Sequence, residues 1–274
     1  MDHFLRPGLR FDVVDSGPAD APAVVLLHGF PQQPSTFDAV AARLNLEGLR
    51  TLTPTQRGYT RTARPTRRRD YRPAATAADV IALLDTAGLA RAHIVGHDWG
   101  GAQAWGAAGW YPDRVASLTV LSIPHPGAFF TALRTSKQGL LSWYMALFQL
   151  PALPERVVAR TLAKSLRDSG LPEEFVDQYS AAMSDPGALT GALNWYRGIP
   201  FATQPPLGKI NVPTSLIWGR NDFALARAAV ELTADHVAGP YEVVELDAGH
   251  WLPETEPDAV AAGILARVRS TTAS

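Results

Sequence analysis

The sequence predicts an α/β fold with a mostly parallel, doubly wound sheet that is interrupted by an inserted helical cap. Short runs of aliphatic residues alternate with segments of helical periodicity, which is typical of βαβ units. Strand signals are missing between residues 127 and 206, where aromatic residues and prolines are frequent, and they resume afterwards. We therefore divide the 274 residues into a core of residues 1–126 and 207–274 and a helical cap of residues 127–206.

Each element is placed by its local pattern. Runs rich in aliphatic and β-branched residues predict strands, and the continuous ones are expected to be buried on both faces. These runs lie at residues 22–27, 50–54, 92–95, 118–123, 214–218 and 241–246. Apolar residues at helical spacing predict a helix over 74–84, with Gly88 as its C-terminal stop. Residues 255–258 have the pattern of a capping box and predict a final helix.

The composition excludes several classes of function. A formal net charge of -1 and a pI near 6.7 argue against a nucleic-acid partner, which needs a basic face. The absence of cysteine excludes disulfides, thiolate metal sites and a cysteine nucleophile. No secretory or membrane-spanning apolar run is seen, so we expect a cytoplasmic protein without a membrane partner. No grouping of side chains has metal-ligand spacing, so neither a metal nor another cofactor is expected.

One local cluster of charge stands out in this near-neutral chain. Its members are Arg57, Arg61, Arg64, Arg67, Arg68, Arg69 and Arg72. The cluster could bind an anion or a nucleic acid. A solvated surface loop is the favoured interpretation, because prolines interrupt the cluster and no nucleic-acid motif accompanies it.

The strongest chemical signal follows the strand at residues 92–95. There, Gly96-His97-Asp98-Trp99-Gly100 has the pattern of a nucleophile elbow, a sharp strand-to-helix turn that projects its central side chain. Serine is the usual central residue, and here it is Asp98, which argues against a serine esterase. Taken alone, the motif favours a simple tight turn in which Asp98 caps the helix.

Two further residues complete a catalytic order. Asp222 and His250 each follow a predicted strand, so the chain order is nucleophile, acid, histidine. Open α/β sheets place their sites beyond the carboxyl ends of strands, and both residues lie there. Taken singly, Asp222 resembles a turn residue and His250 an ordinary loop histidine. Together with Asp98 they favour catalysis over coincidence.

The loop His28-Gly29-Phe30-Pro31 also follows a buried strand. Its tight turn could aim the Phe30 amide at the same pocket as the Trp99 amide, and two such donors would form an oxyanion hole. Such a turn is compatible with a cis bond before Pro31. We interpret His28 as a buried histidine that orders this loop.

These motifs resemble those of the epoxide hydrolases of the α/β-hydrolase fold, over nearly the whole chain. The matching segments are the loop 28–31, the elbow 96–101, Asp222 in Asn-Asp-Phe and His250 in Gly-His-Trp. The first two motifs alone also fit dehalogenases. Gln56 and Thr60 depart from the acidic residue and the glycine that are common in relatives, which affects the expected substrate range more than the mechanism.

The cap extends the resemblance and points to epoxides. Segments 143–149 and 193–197 resemble those that carry the two lid tyrosines, which here would be Tyr144 and Tyr196. Other aromatic side chains are assigned to packing or to the pocket walls. The expected substrate-binding residues are Phe30, Trp99, Trp143, Phe148 and Trp195.

The resemblance implies a two-step reaction on a small apolar epoxide with water as the second substrate. Asp98 would attack the epoxide to form an ester while Tyr144 and Tyr196 donate to its oxygen. His250, supported by Asp222, would then activate water, and a vicinal diol would leave. We expect a monomer or a homodimer.

Two other functions remain open from the sequence. A haloalkane dehalogenase uses the same aspartate but needs N–H donors for the halide. The Trp99 indole could supply one, and the second would have to come from Trp143 or Trp195. A non-catalytic small-ligand binding protein on the same scaffold is the third possibility, since fold does not dictate function.

Overall fold

Eight strands form one sheet in the computed structural model, which describes residues 1–272. In chain order they are β1 (His3–Arg6), β2 (Leu9–Ser16), β3 (Ala23–Leu27), β4 (Arg50–Pro54), β5 (Ala92–His97), β6 (Val115–Leu121), β7 (Thr214–Gly219) and β8 (Tyr241–Leu246). Across the sheet their order is β1-β2-β4-β3-β5-β6-β7-β8. Only the pairs β1–β2 and β2–β4 are antiparallel among these described strands. The prediction of a mostly parallel sheet is confirmed.

Helices connect and cover the strands. In chain order they are α1 (Asp38–Leu46), α2 (Pro73–Thr86), α3 (Trp99–Trp110), α4 (Pro126–Thr135), α5 (Gln138–Leu141), α6 (Tyr144–Leu147), α7 (Leu153–Asp168), α8 (Glu173–Met183), α9 (Ala188–Gly198), α10 (Arg227–Leu232), α11 (Leu252–Thr255) and α12 (Pro257–Thr272). The predicted helix over 74–84 is α2. It ends as expected before Gly88, which has a φ of +69°, where glycine is favoured.

The central strand β3 shows why the sheet is doubly wound. All five of its residues are buried, because both of its faces are covered. Val25 and Leu27 belong to the core under α2 and α3, whereas Val24 and Leu26 belong to the core under α1 and α12. This alternation follows from the two-residue period of a strand.

Two local predictions need correction. The hairpin of β1 and β2 was not expected, because its strands mix charged and apolar residues at the edge of the sheet; Phe4 and Phe11 stack across it at 4.5 Å. The final helix begins at Pro257, but the capping box does not form. The Thr255 hydroxyl instead donates to the Trp251 carbonyl at 2.9 Å, because Thr255 ends the preceding helix α11.

The region between β6 and β7 is helical throughout its regular elements. Its apolar residues, such as Val176, Tyr179 and Leu193, form one cluster that Trp251 from outside the region joins. Its first helix, α4, packs against α10, and Ala132 is buried with the core beneath the sheet. The division into core residues 1–126 and 207–274 and cap residues 127–206 stays a prediction. Within residues 1–272, no helix is long and apolar enough to cross a membrane.

The segment between β4 and α2 connects the core to α9. The Trp195 indole N–H donates to the Arg57 carbonyl at 2.7 Å. Arg64 forms an ion pair at 2.9 Å with Asp185, which lies just before α9. A side chain at Gly58 would meet the Gly191 carbonyl at 2.7 Å, so the two backbones are in direct contact. This contact places α9, and with it Tyr196, over the carboxyl ends of the strands.

Candidate active site

The elbow predicted from the sequence is formed between β5 and α3. Asp98 lies between the two elements with φ +49° and ψ −121°, a backbone conformation that is rare for a residue with a side chain. A Cβ at Gly100 would lie 2.0 Å from the Leu27 carbonyl oxygen, so only glycine allows α3 to approach β3 this closely. Backbone strain of this kind is concentrated at functional sites, and here it projects the Asp98 side chain above the sheet.

The Asp98 carboxylate is held by backbone donors. Its Oδ1 accepts the Phe30 N–H at 2.9 Å, and the Trp99 N–H also hydrogen-bonds to this carboxylate. A Cβ on Gly29 would meet the Asp98 Cβ at 2.5 Å, so the loop can approach Asp98 only with glycine there. The two amides predicted to form an oxyanion hole therefore both contact the Asp98 carboxylate.

The loop 28–31 is ordered as its sequence suggests. The Phe30–Pro31 peptide bond is cis, and His28 is fully buried. The Gln56 backbone N–H donates to His28 Nε2 at 3.2 Å, and the Gln56 side-chain amide donates to the His28 carbonyl. A carboxylate at position 56 could not donate this second bond.

His250 and Asp222 meet beside Asp98. His250 Nδ1 lies 2.9 Å from Asp222 Oδ2, and His250 Nε2 lies 4.0 Å from Asp98 Oδ2. Asp222 is held in turn, because its Oδ1 accepts the N–H groups of Ala224 and Leu225 at 2.7 and 3.1 Å. The structure thus brings together all three residues of the predicted order, with Asp222 orienting the imidazole and Nε2 turned toward Asp98.

The backbone of His250 is held in place by residues to which the sequence analysis assigned no role. Its carbonyl accepts from His97 Nε2 at 2.9 Å and from the Ser122 hydroxyl at 3.1 Å. His97 Nδ1 lies 2.8 Å from Gln32 Oε1, which also accepts the Gly29 N–H at 2.7 Å. One buried network therefore links the position of the histidine to the loop that carries the Phe30 amide.

The charges of the site are coupled. Burial alone would lower the pKa of His250, but the carboxylates of Asp222 and Asp98 outweigh it and raise this pKa to about 9. Burial raises the pKa of Asp98 above its usual value, while His250 and the Phe30 and Trp99 amides oppose this shift. His250 therefore lies between two carboxyl groups, and together they favour its protonated form in the free protein.

A cavity of about 360 Å³ opens above Asp98 and His250, and both predicted cap tyrosines line it. The rings of Tyr144 and Tyr196 lie 6.0 Å apart in an edge-on arrangement. Burial and the nearby charge of Asp98 raise the pKa of each phenol above its usual value, and a hydrogen bond from the Trp99 side chain partly opposes this for Tyr196. Both hydroxyls therefore remain protonated donors over the whole neutral range.

The expected wall residues divide into three groups. Trp99 and Trp195 line the cavity, as expected. Phe30 and Phe148 pack against Tyr196, at ring distances of 6.1 and 4.9 Å, and support it without forming the wall.

Trp143 does not form a wall at all. Its side chain is 66% exposed and does not line the cavity. Successive residues of a helical turn point about 100° apart. Because Tyr144 points into the cavity, its neighbour Trp143 points out to solvent.

Most of the remaining wall was not anticipated. The additional apolar residues come from the loop after β6, from α3, α4 and α6, and from the segment before β7. They include Trp110, Ile123, Phe129, Phe130, Met145 and Leu207. No local motif distinguishes such residues from ordinary core positions, so only the tertiary structure identifies them. They make the cavity predominantly apolar around a small set of polar groups, which suits an uncharged substrate.

The chain is similar in sequence and structure to known proteins. Residues 22–257 match the alpha/beta hydrolase fold family. The chain is 32% identical to epoxide hydrolase A of Mycobacterium tuberculosis, with 94% of each chain covered, and 33% identical to epoxide hydrolase 4 of Homo sapiens, with 92% of this chain and 74% of that protein covered. It superimposes on the crystal structure of epoxide hydrolase A from Mycobacterium thermoresistibile with a TM-score of 0.85, at 28% identity and 97% coverage of both chains.

Proposed function

The chain belongs to the epoxide hydrolases of the α/β-hydrolase fold, and from this premise we propose that it opens an apolar epoxide to a vicinal diol through an ester on Asp98. The observation that carries this proposal is the arrangement of one cavity. The phenols of Tyr144 and Tyr196, both protonated, line the same cavity of about 360 Å³ as Asp98 and His250. An epoxide needs both a nucleophile for its carbon and an acid for its oxygen, and this cavity offers both.

In the first step, Asp98 Oδ2 attacks an epoxide carbon and the carbon–oxygen bond of the ring breaks. Oδ2 is the oxygen that turns away from the Phe30 amide and toward His250. A carboxylate carries its own charge and needs no base to activate it, which is consistent with the 4.0 Å between Nε2 and Oδ2. The charge that develops on the epoxide oxygen is stabilised by the two phenols, and one phenolic proton moves to it.

In the second step, water attacks the ester carbon Cγ. Alkylation neutralises Asp98, and the Asp98 charge is one of the causes that raise the pKa of His250. The pKa of His250 therefore falls in the ester, and the imidazole becomes able to take a proton from water. The oxyanion forms on Oδ1, which already accepts the Phe30 N–H in the free protein. The tetrahedral species collapses as the bond between Cγ and Oδ2 breaks, and protonated His250 returns its proton to the departing oxygen. The second proton of the attacking water restores the phenol that was deprotonated in the first step, and the diol leaves with the Oδ2 oxygen.

Removal of the phenols is expected to slow the first step selectively. A hydrogen bond to a charged group contributes about 1.5–3 kcal/mol, so Tyr144→Phe and Tyr196→Phe should each slow alkylation roughly 10- to 150-fold. The double variant should be slower than either. Single-turnover quenching of tryptophan fluorescence can measure this rate, because Trp99 lies beside the reacting carboxylate.

Tyr241→Phe is the matched control for these variants. Its hydroxyl is buried, has no hydrogen-bond partner among the described residues and lies on β8, away from the cavity. This variant should alkylate at the wild-type rate. A double variant of Tyr144 and Tyr196 that also does so would remove the phenols from the mechanism.

The two steps should respond differently to pH. Alkylation requires ionised Asp98 and protonated phenols, so its rate should rise as Asp98 ionises in the acid range and then stay level through pH 9. Hydrolysis requires neutral His250, so its rate should increase with pH through an apparent pKa below the value of about 9 in the free protein. Stopped-flow measurement of both phases between pH 5 and pH 9 separates them. A hydrolysis rate that falls across this range would contradict the role of His250 as base.

Haloalkane dehalogenation has weaker support in the geometry. Its second halide donor had to be Trp143 or Trp195. Trp143 is exposed at the surface, and the Trp195 N–H already donates to the Arg57 carbonyl. Neither residue can therefore supply the second N–H donor that a halide would need beside the Trp99 indole.

The test of the function is a panel of epoxides, haloalkanes and carboxylic esters assayed with the wild-type protein. We expect diol from styrene oxide or another apolar epoxide, and little halide release. Halide release without any diol would identify a dehalogenase. Tight binding of epoxides without turnover, unchanged in Asp98→Asn, would identify a binding protein.

A further inference from the structure

The arginine-rich segment before α2 forms the wall of a second cavity. This groove has a volume of about 600 Å³ and shares no lining residue with the active-site cavity. Six of its lining residues are arginines, and Asp70 is the one acidic residue that lines it within the described chain. The arginines are Arg6, Arg57, Arg61, Arg64, Arg67 and Arg72. The sequence alone favoured a solvated loop, because prolines interrupt the cluster and no nucleic-acid motif accompanies it. No sequence pattern predicts that the distant Arg6 joins the cluster.

The base of the groove is a buried ion pair. Arg57 forms a two-point contact with Asp79, at 2.8 Å from Nε and 2.6 Å from Nη2. Arg6 Nε lies 3.4 Å from the same carboxylate, but it is buried and makes no hydrogen bond within residues 1–272. One carboxylate thus faces two guanidinium groups, and an N–H of Arg6 remains unused.

The rim carries the larger excess of positive charge. Arg61 and Arg64 share a single carboxylate, that of Asp185. No carboxylate in the described part of the chain forms an ion pair with Arg67 or Arg72. Like charges at this density repel one another, so an anion in the groove would relieve the repulsion.

A helix terminus adds to this field. Helix α2 begins at Pro73 beside the groove, and Ala75 in its first turn lines it. No side chain caps this terminus, and its first turn contains no acidic residue. Pro73 has no N–H, and the Ala75 N–H donates to the Arg72 carbonyl at 2.8 Å, so this terminus contributes the positive end of the helix dipole rather than a set of free donors.

We propose that this groove binds a small molecule through a diphosphate or polyphosphate group. Arginine guanidinium groups form two-point contacts with phosphate oxygens. The N-terminus of α2, a helix of 14 residues, favours the same anion through its dipole. The volume of about 600 Å³ exceeds that of a diphosphate and accommodates the body of a molecule such as a nucleotide. The site lies outside the epoxide chemistry and does not depend on it.

Isothermal titration with inorganic pyrophosphate and with ADP tests the proposal. We expect saturable binding of at least one ligand below about 1 mM, since several charged contacts act together. The double variant Arg67→Ala/Arg72→Ala should weaken it at least about 10-fold while epoxide turnover stays at the wild-type level, which shows that the variant is folded. Tighter binding of ADP than of pyrophosphate would identify a nucleotide-like ligand, and equal binding a free phosphate compound.

Arg134→Ala/Arg160→Ala is the matched control, because these exposed arginines have no ion pair among the described residues and do not line the groove. It should bind as the wild type does. Absence of saturable binding of either ligand up to about 10 mM would overturn the proposal. Binding that is unchanged in the double variant of Arg67 and Arg72 would also overturn it, as would tighter binding of a short DNA duplex than of ADP.

Discussion

Asp98→Asn is expected to lower epoxide turnover by at least about 10⁴-fold, the scale on which loss of a nucleophile acts in hydrolases. The amide has the shape of the carboxylate, and its oxygen can still accept the Phe30 N–H that Oδ1 accepts in the wild type. It lacks the negative charge that attacks the epoxide. It also removes one of the carboxylates that raise the pKa of His250. Diol formation from styrene oxide, followed by chromatography, measures the loss.

Two further variants make this result specific. Asp98→Ala should be equally inactive. This result would show that the loss in Asp98→Asn comes from the missing carboxylate and not from an effect of the introduced amide. Asp113→Asn changes an exposed aspartate that does not line the cavity and should leave turnover unchanged. An Asp98 variant that is folded and retains a tenth of the wild-type rate would show that another group attacks the epoxide.

His250→Gln should stop the reaction after its first step. The expected loss in steady-state turnover is about 10³-fold or more, because the base of the hydrolytic step is removed. Alkylation should continue, since Asp98 needs no base. Alkylation by this variant should be slower than in the wild type at acid pH. A protonated His250 lowers the pKa of Asp98, and without it less of Asp98 is ionised. The ester should therefore accumulate.

Mass spectrometry of the peptide that contains Asp98 shows this accumulation directly. After incubation of His250→Gln with an epoxide near pH 8, the peptide should gain the mass of one epoxide. His3→Gln, which changes a histidine of the remote strand β1, should show full turnover and no such adduct. If wild type turns the epoxide over and folded His250→Gln neither turns over nor gains mass, the histidine acts before ester formation and the order of steps is wrong.

The geometry of the candidate site could be predicted from the sequence because its signals are local. The elbow around Asp98 is one continuous motif, and Asp222 and His250 follow strands whose ends must meet at one edge of a parallel sheet. Chain order and fold therefore determine their proximity. Tyr144 and Tyr196 were identified by resemblance alone, and the structure places both in the cavity with Asp98.

The surroundings of the site could not be predicted because they depend on tertiary contacts. Trp143 and Tyr144 are adjacent aromatic residues, and only the packing of the cap decides which of them faces inward. The support of the His250 carbonyl by His97 and Ser122 joins residues more than 120 positions apart. The arginine groove likewise depends on Arg6, which is distant in sequence from the other arginines.

The most direct test of the central claim, an ester on Asp98, is a single turnover in water enriched in ¹⁸O with enzyme in excess over epoxide. In the proposed mechanism water attacks Cγ, and the diol leaves with a carboxylate oxygen that was in the protein beforehand. The diol of the first turnover should therefore contain no ¹⁸O, and the Asp98 peptide should gain one labelled oxygen. A first-turnover diol that carries ¹⁸O, with no label in the Asp98 peptide, would show that water attacks the epoxide directly and that no ester forms.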